Sequence, residues 1–161
     1  MAAERSIRRG GRDSVAASVP RWASLSSLVL ALLGLAVSVY LTVEHYTAST
    51  TLACPSVGPL DCQRVTTSSE SFVFGIPVAL LGALFFAAMV VATLPAVWRL
   101  PWRAIRRTRL GLTIVGVAFV IYLIYAELFR VDAICLWCTA VHVITFALFA
   151  VIALGTASAG D

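Results

Sequence analysis

The chain has no lysine and no asparagine, and only 12% of its 161 residues are charged. Soluble domains carry about 25% charge and about 45–50% apolar residues; here 60% are hydrophobic and the mean hydropathy is +0.95. So little charge with so much apolar content excludes intrinsic disorder and a coiled coil. Four cysteines are too few for a disulfide-stapled secreted miniprotein. The pI near 9.2 comes from twelve arginines, and their placement explains it without a nucleic-acid partner. In place of charge the chain has long apolar runs, the mark of a membrane protein.

A hydrocarbon core about 30 Å thick needs about 20 apolar residues at about 1.5 Å of rise each. Four stretches qualify. The first runs from Trp22 to Val43 and is closed by Glu44 and His45. The second runs from about Phe72 to Val97, with Pro95, Trp98 and Arg99 marking its end. The third begins after Arg109 and reaches Ala126, with Glu127 and Arg130 beyond. The fourth starts near Ile134 and continues to about Leu154. The expected architecture is all-α: a four-transmembrane-helix bundle with short connections. It divides into a basic segment 1–21, a membrane core 22–154 and a short tail 155–161. The first stretch is longer than the apolar part of a secretory signal, about 7–15 residues, and reads as a retained anchor.

Arginine in short loops is retained on the cytoplasmic side. Arg5, Arg8, Arg9, Arg12 and Arg21 precede the first stretch, and Arg99, Arg103, Arg106, Arg107 and Arg109 fill the link between the second and third. Only Arg64 and Arg130 lie elsewhere. Both termini and the middle link are therefore expected in the cytoplasm, and loops 46–71 and 127–134 outside.

That orientation puts all four cysteines on one face, the compartment in which disulfides form and persist. Cys135-Leu136-Trp137-Cys138 is a CxxC at a helix start, where one turn brings both sulfurs together and the helix dipole favours a thiolate. Closing so small a ring removes little chain entropy, which favours redox use over stapling. A zinc ribbon would need a second CxxC, whereas Cys54 and Cys62 stand seven residues apart, so no metal is expected. Cys54 and Cys62 lie in a turn-rich segment with Pro55, Gly58 and Pro59. Alone they read equally well as a loop staple. Beside the CxxC they read as the outer half of a relay, with electrons passing by thiol-disulfide exchange. There is no CxxCH haem site and no glycine-rich nucleotide motif, so a lipid-soluble quinone at the helix end is the simplest acceptor. Phe72, Phe74, Phe85, Phe86, Phe146 and Phe149 offer apolar lining. The rival from another class is a membrane scaffold or small transporter with two structural disulfides; transport would need intramembrane charge that is nearly absent.

Paired cysteines in the first outer loop, Cys62-x5-Ser68 followed by Phe74-Gly75-x-Pro77, and a CxxC opening the last span together resemble the vitamin K epoxide reductase family in its bacterial branch. The resemblance covers residues 22 to 154. Disulfide oxidases of the DsbB type carry their CxxC in the first outer loop instead. The resemblance implies a quinone-dependent thiol:disulfide oxidoreductase of the bacterial cytoplasmic membrane. Cys62 would take electrons from a DsbA-like thioredoxin-fold partner, Cys54 would attack Cys135, and Cys138 would reduce the quinone. Ser68 would lie near the quinone ring; as a residue of the loop it could equally cap a short helix. Vertebrate members have a tyrosine where this chain has His142, and an asparagine that this chain lacks. Quinone contacts must therefore differ. His142, one turn after Cys138, could donate to a quinone oxygen or pair with a neighbouring helix. Many bacterial members carry a fused thioredoxin-like domain, and with seven residues left after Leu154 the partner is expected as a separate protein. Arginine without lysine, with abundant Ala, Val and Leu, points to a high-GC bacterium such as an actinobacterium, hence to menaquinone ahead of ubiquinone.

Overall fold

The computed structural model describes residues 21–47, 54, 58–98, 100 and 103–158. The segment 1–20, Arg99 and residues 159–161 lie outside them, and with these much of the arginine pattern that set the expected orientation. In chain order the elements are α1 (Arg21–Thr47), α2 (Cys62–Thr66), a 3-10 turn (Ser69–Ser71), β1 (Phe72–Val73), β2 (Ile76–Pro77), α3 (Val78–Thr93), α4 (Pro95–Trp98), α5 (Arg103–Ala126), a π-turn (Glu127–Val131) and α6 (Leu136–Ser158).

The buried positions of α1 include Ala23, Ser27, Ala31, Gly34 and Ser38. They recur every three or four residues, so they form one stripe along the helix. All are small. Between helices in lipid the hydrophobic effect offers little, and close van der Waals approach does the holding. A methyl group added at Gly34 would run into the buried ring of Phe86, and one at Gly116 would lie 2.7 Å from Phe85. α1 packs along both α3 and α6, whereas α3 and α5 meet over only a short stretch.

Among the described residues three helices are long and apolar enough to cross a bilayer, Arg21–Thr47, Arg103–Val131 and Leu136–Ser158; α3 is apolar but has 16 residues. The expected second span is corrected here. Phe72–Pro77 is a hairpin, paired Phe72 with Pro77 and Val73 with Ile76. Its two central residues, Phe74 at φ 52° and Gly75 at φ 79°, both adopt positive φ, as a type I′ turn requires. Pro77 lacks an N–H and holds the residue before it extended, so the helix starts only at Val78. Pro95 acts likewise on Leu94, at ψ 136°, and ends α3.

At the end of the bundle where α4 leads into α5, Arg109 is buried. Its Nε donates to the Ala92 carbonyl at 3.0 Å and its guanidinium lies 3.7 Å from the Trp98 ring centroid. At the opposite end the loop is stitched to the segment ahead of α6. The Asp61 N–H donates to the Ile134 carbonyl at 3.1 Å, and the Ile134 N–H donates to the Pro59 carbonyl at 2.9 Å. Asp61 also caps α2, its carboxylate accepting from the Arg64 N–H at 2.9 Å.

Candidate active site

Because Pro59 to Asp61 pair with Ile134, the chain leaving that pairing on one side reaches Cys62 at once and on the other reaches Cys135. Both sulfurs are buried, Cys62 at 1% and Cys135 at 0% exposure, in one apolar cluster with Val65, Val131 and Ala133. Cys54 and Cys138 pack against that cluster and are half-buried. Cys54 and Cys62 form a disulfide, while Cys135 and Cys138 are free. Two cysteine pairs that are 73 or more residues apart in sequence are thus neighbours in space.

Cys135 stands just ahead of α6. The Cys138 N–H donates to its sulfur at 3.2 Å, so the sulfur occupies the place of a helix N-cap. The side chain of Cys138 also hydrogen bonds to it, and this holds the Cys135 thiol below its ordinary value. A thiolate is the nucleophile in disulfide exchange. Trp137, between the two cysteines, packs on Tyr40 of α1 with ring centroids 5.1 Å apart, which fixes the rotation of this first turn.

Cys138 opens into a cavity of about 310 Å³ bounded by α1, α3, α5, α6 and the loop. The walls are apolar, with Phe85 from α3 and Val115 from α5 facing Cys138 and His142 of α6. Ser68 and His142 both line it. His142 is 4% exposed, one turn beyond Cys138, and its ring makes no hydrogen bond among the described residues. Ser68 caps no helix through its side chain; its hydroxyl donates to the Val65 carbonyl at 2.8 Å. The hydroxyls of Thr66, Ser71 and Thr145 likewise donate to carbonyls of their own turns. His142 thus presents to the cavity a ring with no hydrogen-bond partner among the described residues.

Phe72 and Phe74 do not line the cavity. Phe72 packs edge-on against His45 at 5.1 Å, and Phe74 projects fully exposed from the hairpin tip. The hairpin holds both away from the cavity wall. Phe85 and Phe86, also expected as apolar lining, do line it.

Sequence reasoning missed Glu127. Read there as the charge that closes the third apolar stretch, it is 7% exposed and lines the cavity, with Cys138 as a side-chain neighbour. It opens a π-turn, a local widening common at functional sites, which ends at Asp132 in the left-handed region at φ 52°. The signal was present: a carboxylate followed by Leu128 and Phe129 is still inside apolar sequence. Across the cavity mouth, Arg130 pairs with Glu70 at 3.0 Å, and the Tyr122 hydroxyl donates to the other oxygen of Glu70 at 3.4 Å.

A sequence model of the vitamin K epoxide reductase family matches residues 25–153, most of the chain. The chain belongs to that family. No curated protein matches it. As a member of the vitamin K epoxide reductase family with three long apolar helices, it is an integral membrane oxidoreductase of disulfide chemistry, and quinones are the redox partners of that family in general. Its four cysteines and the cavity beside them are where such chemistry has room to occur.

Proposed function

We propose that the protein forms disulfides in an extracytoplasmic, DsbA-like thioredoxin-fold partner and passes the electrons to a quinone of the bacterial cytoplasmic membrane, menaquinone being the quinone expected. The observation that carries this reading is the shared cluster: two cysteine pairs in contact, one of them opening into an apolar cavity. In this arrangement α3 and α4 together supply the second of four spans, about 30 Å of helix, and both termini face the cytoplasm.

The burial of the loop pair supports an order opposite to the one the resemblance implies. Cys62 is shut in beside Cys135, whereas Cys54 is half-buried. A partner thiolate attacks Cys54 and releases the Cys62 thiolate; the second partner thiol then frees Cys54 and leaves as part of the partner's new disulfide. Cys62 next attacks Cys135 of an oxidised CxxC, releasing Cys138 as thiolate. Cys54 attacks the Cys62 sulfur, the loop disulfide re-forms and the CxxC becomes a dithiol. Each exchange moves two electrons inward without an added oxidant.

The cavity's residues fit a quinone ring: apolar walls would hold it, Cys138 would supply the electrons, and His142 would donate a hydrogen bond to a carbonyl oxygen. Bound there, a quinone accepts two electrons and two protons. Ser68, whose proton is engaged with Val65, is left to accept a hydrogen bond from the product. Purified protein in a bilayer with menaquinone should oxidise a reduced thioredoxin-fold substrate, and Cys138→Ala should lower that rate at least about 10³-fold while leaving the loop disulfide intact. Undiminished oxidation by Cys138→Ala would refute the reading.

A further inference from the structure

A carboxyl group inside an apolar span costs several kcal/mol unless it is satisfied, and such residues are as a rule functional. Glu127 is not held in place by an ion pair. The cation on its own turn, Arg130, is engaged with Glu70, and Glu127 forms no ion pair among the described residues. Its side-chain neighbour is Cys138, which shares the cavity wall with it and whose N–H donates to the Cys135 sulfur at 3.2 Å. The backbone of the π-turn fixes the approach: the N–H groups of Asp132 and Ala133 both donate to the Glu127 carbonyl, the latter at 3.2 Å. Glu127 and Cys138 thus stand on the wall of the same cavity.

We propose that Glu127 is a catalytic residue, the base that takes the thiol proton of Cys138 when the CxxC is oxidised. The S–H bond of Cys138 breaks, its proton passes to a carboxylate oxygen of Glu127, and the sulfur left behind bonds to Cys135 as two electrons depart. The second proton comes from Cys135. Both protons leave with the two electrons to the quinone, Glu127 delivering the first from the cavity wall. The departure of the electrons rests on the reading of the cavity as a quinone site; the proton link between Glu127 and Cys138 does not.

Two readouts separate these. In reduced, quinone-free protein, the pH midpoint for alkylation of Cys138 by neutral iodoacetamide, located by mass spectrometry, should fall in Glu127→Gln, where the neighbouring carboxylate is gone, and return toward the wild-type value in Glu127→Asp. With menaquinone added, single-turnover oxidation of the dithiol should slow by about 10²-fold, within the range of general base catalysis, with little change in the quinone concentration needed for half-maximal rate. An alkylation midpoint of Cys138 unchanged in Glu127→Gln would overturn the proposal. A shifted midpoint in a protein that reduces no quinone would support the proton link and sink the quinone reading. Helical content and the Cys54–Cys62 disulfide, measured in each variant, report folding, and the Asp variant keeps the test open if Gln is not tolerated.

Discussion

At the Trp98 end of the bundle, Arg109 reaches the Ala92 carbonyl and the Trp98 ring, and Gly155 of α6 leaves room for Ala23, a methyl there falling 2.7 Å from the Ala23 Cβ. At the cysteine end the helices part around a cavity of about 310 Å³, with residues of the loop and the π-turn on its wall. One end is filled by steric fit. The other is tied by backbone hydrogen bonds at the margins and left hollow in the middle. A bundle can hold its shape with the first kind of contact while it binds a ligand and exchanges disulfides within the second, so stability and activity should respond to different residues.

The largest effect that would break this division is in the tightly packed region. Gly155→Leu would force a side chain into Ala23 and Trp98, and overpacking of this kind costs about 1–3 kcal/mol or more; loss of folded, detergent-stable protein is the expected outcome, checked by size-exclusion profile and yield. Next comes Arg109→Ala, which removes a cation–π contact and a charge-assisted hydrogen bond, about 2–4 kcal/mol together. Its melting temperature should fall clearly while the turnover of the folded fraction stays near that of the wild type. Ser68→Ala should do the least: a hydrogen bond to Val65 worth about 1 kcal/mol is lost, and quinone affinity should change by less than about threefold. A large rise in half-saturating quinone concentration for Ser68→Ala would move the ring toward the loop and away from His142.

The same contrast explains what could be read from the chain alone. The apolar runs of α1, α5 and α6 were legible because length and lack of charge suffice for them. So was the CxxC at a helix start, since Cys135 caps α6 with its own sulfur. The hairpin was not, because Phe72 to Pro77 is as apolar as a span and only the joint demand of Gly75 and Pro77 on backbone angles breaks the helix there. Glu127 was hidden for the opposite reason. A charge normally ends a span, and here the π-turn carries the helix five residues further, to Val131. The nearness of Cys62 to Cys135 depends on the pairing of Pro59 and Asp61 with Ile134 across 73 residues, which no local pattern announces.

The central claim is that both cysteine pairs drain into one quinone-binding cavity. The most direct test is a titration of fully reduced protein in a bilayer with excess menaquinone, scoring quinol by absorbance and thiols by mass. Two quinols per chain are expected, one for each pair of the four cysteines, falling to one when Cys54 and Cys62 are both replaced by Ser. Quinol formation that ignores the CxxC, or full oxidation of the four cysteines with no quinol formed, would contradict it.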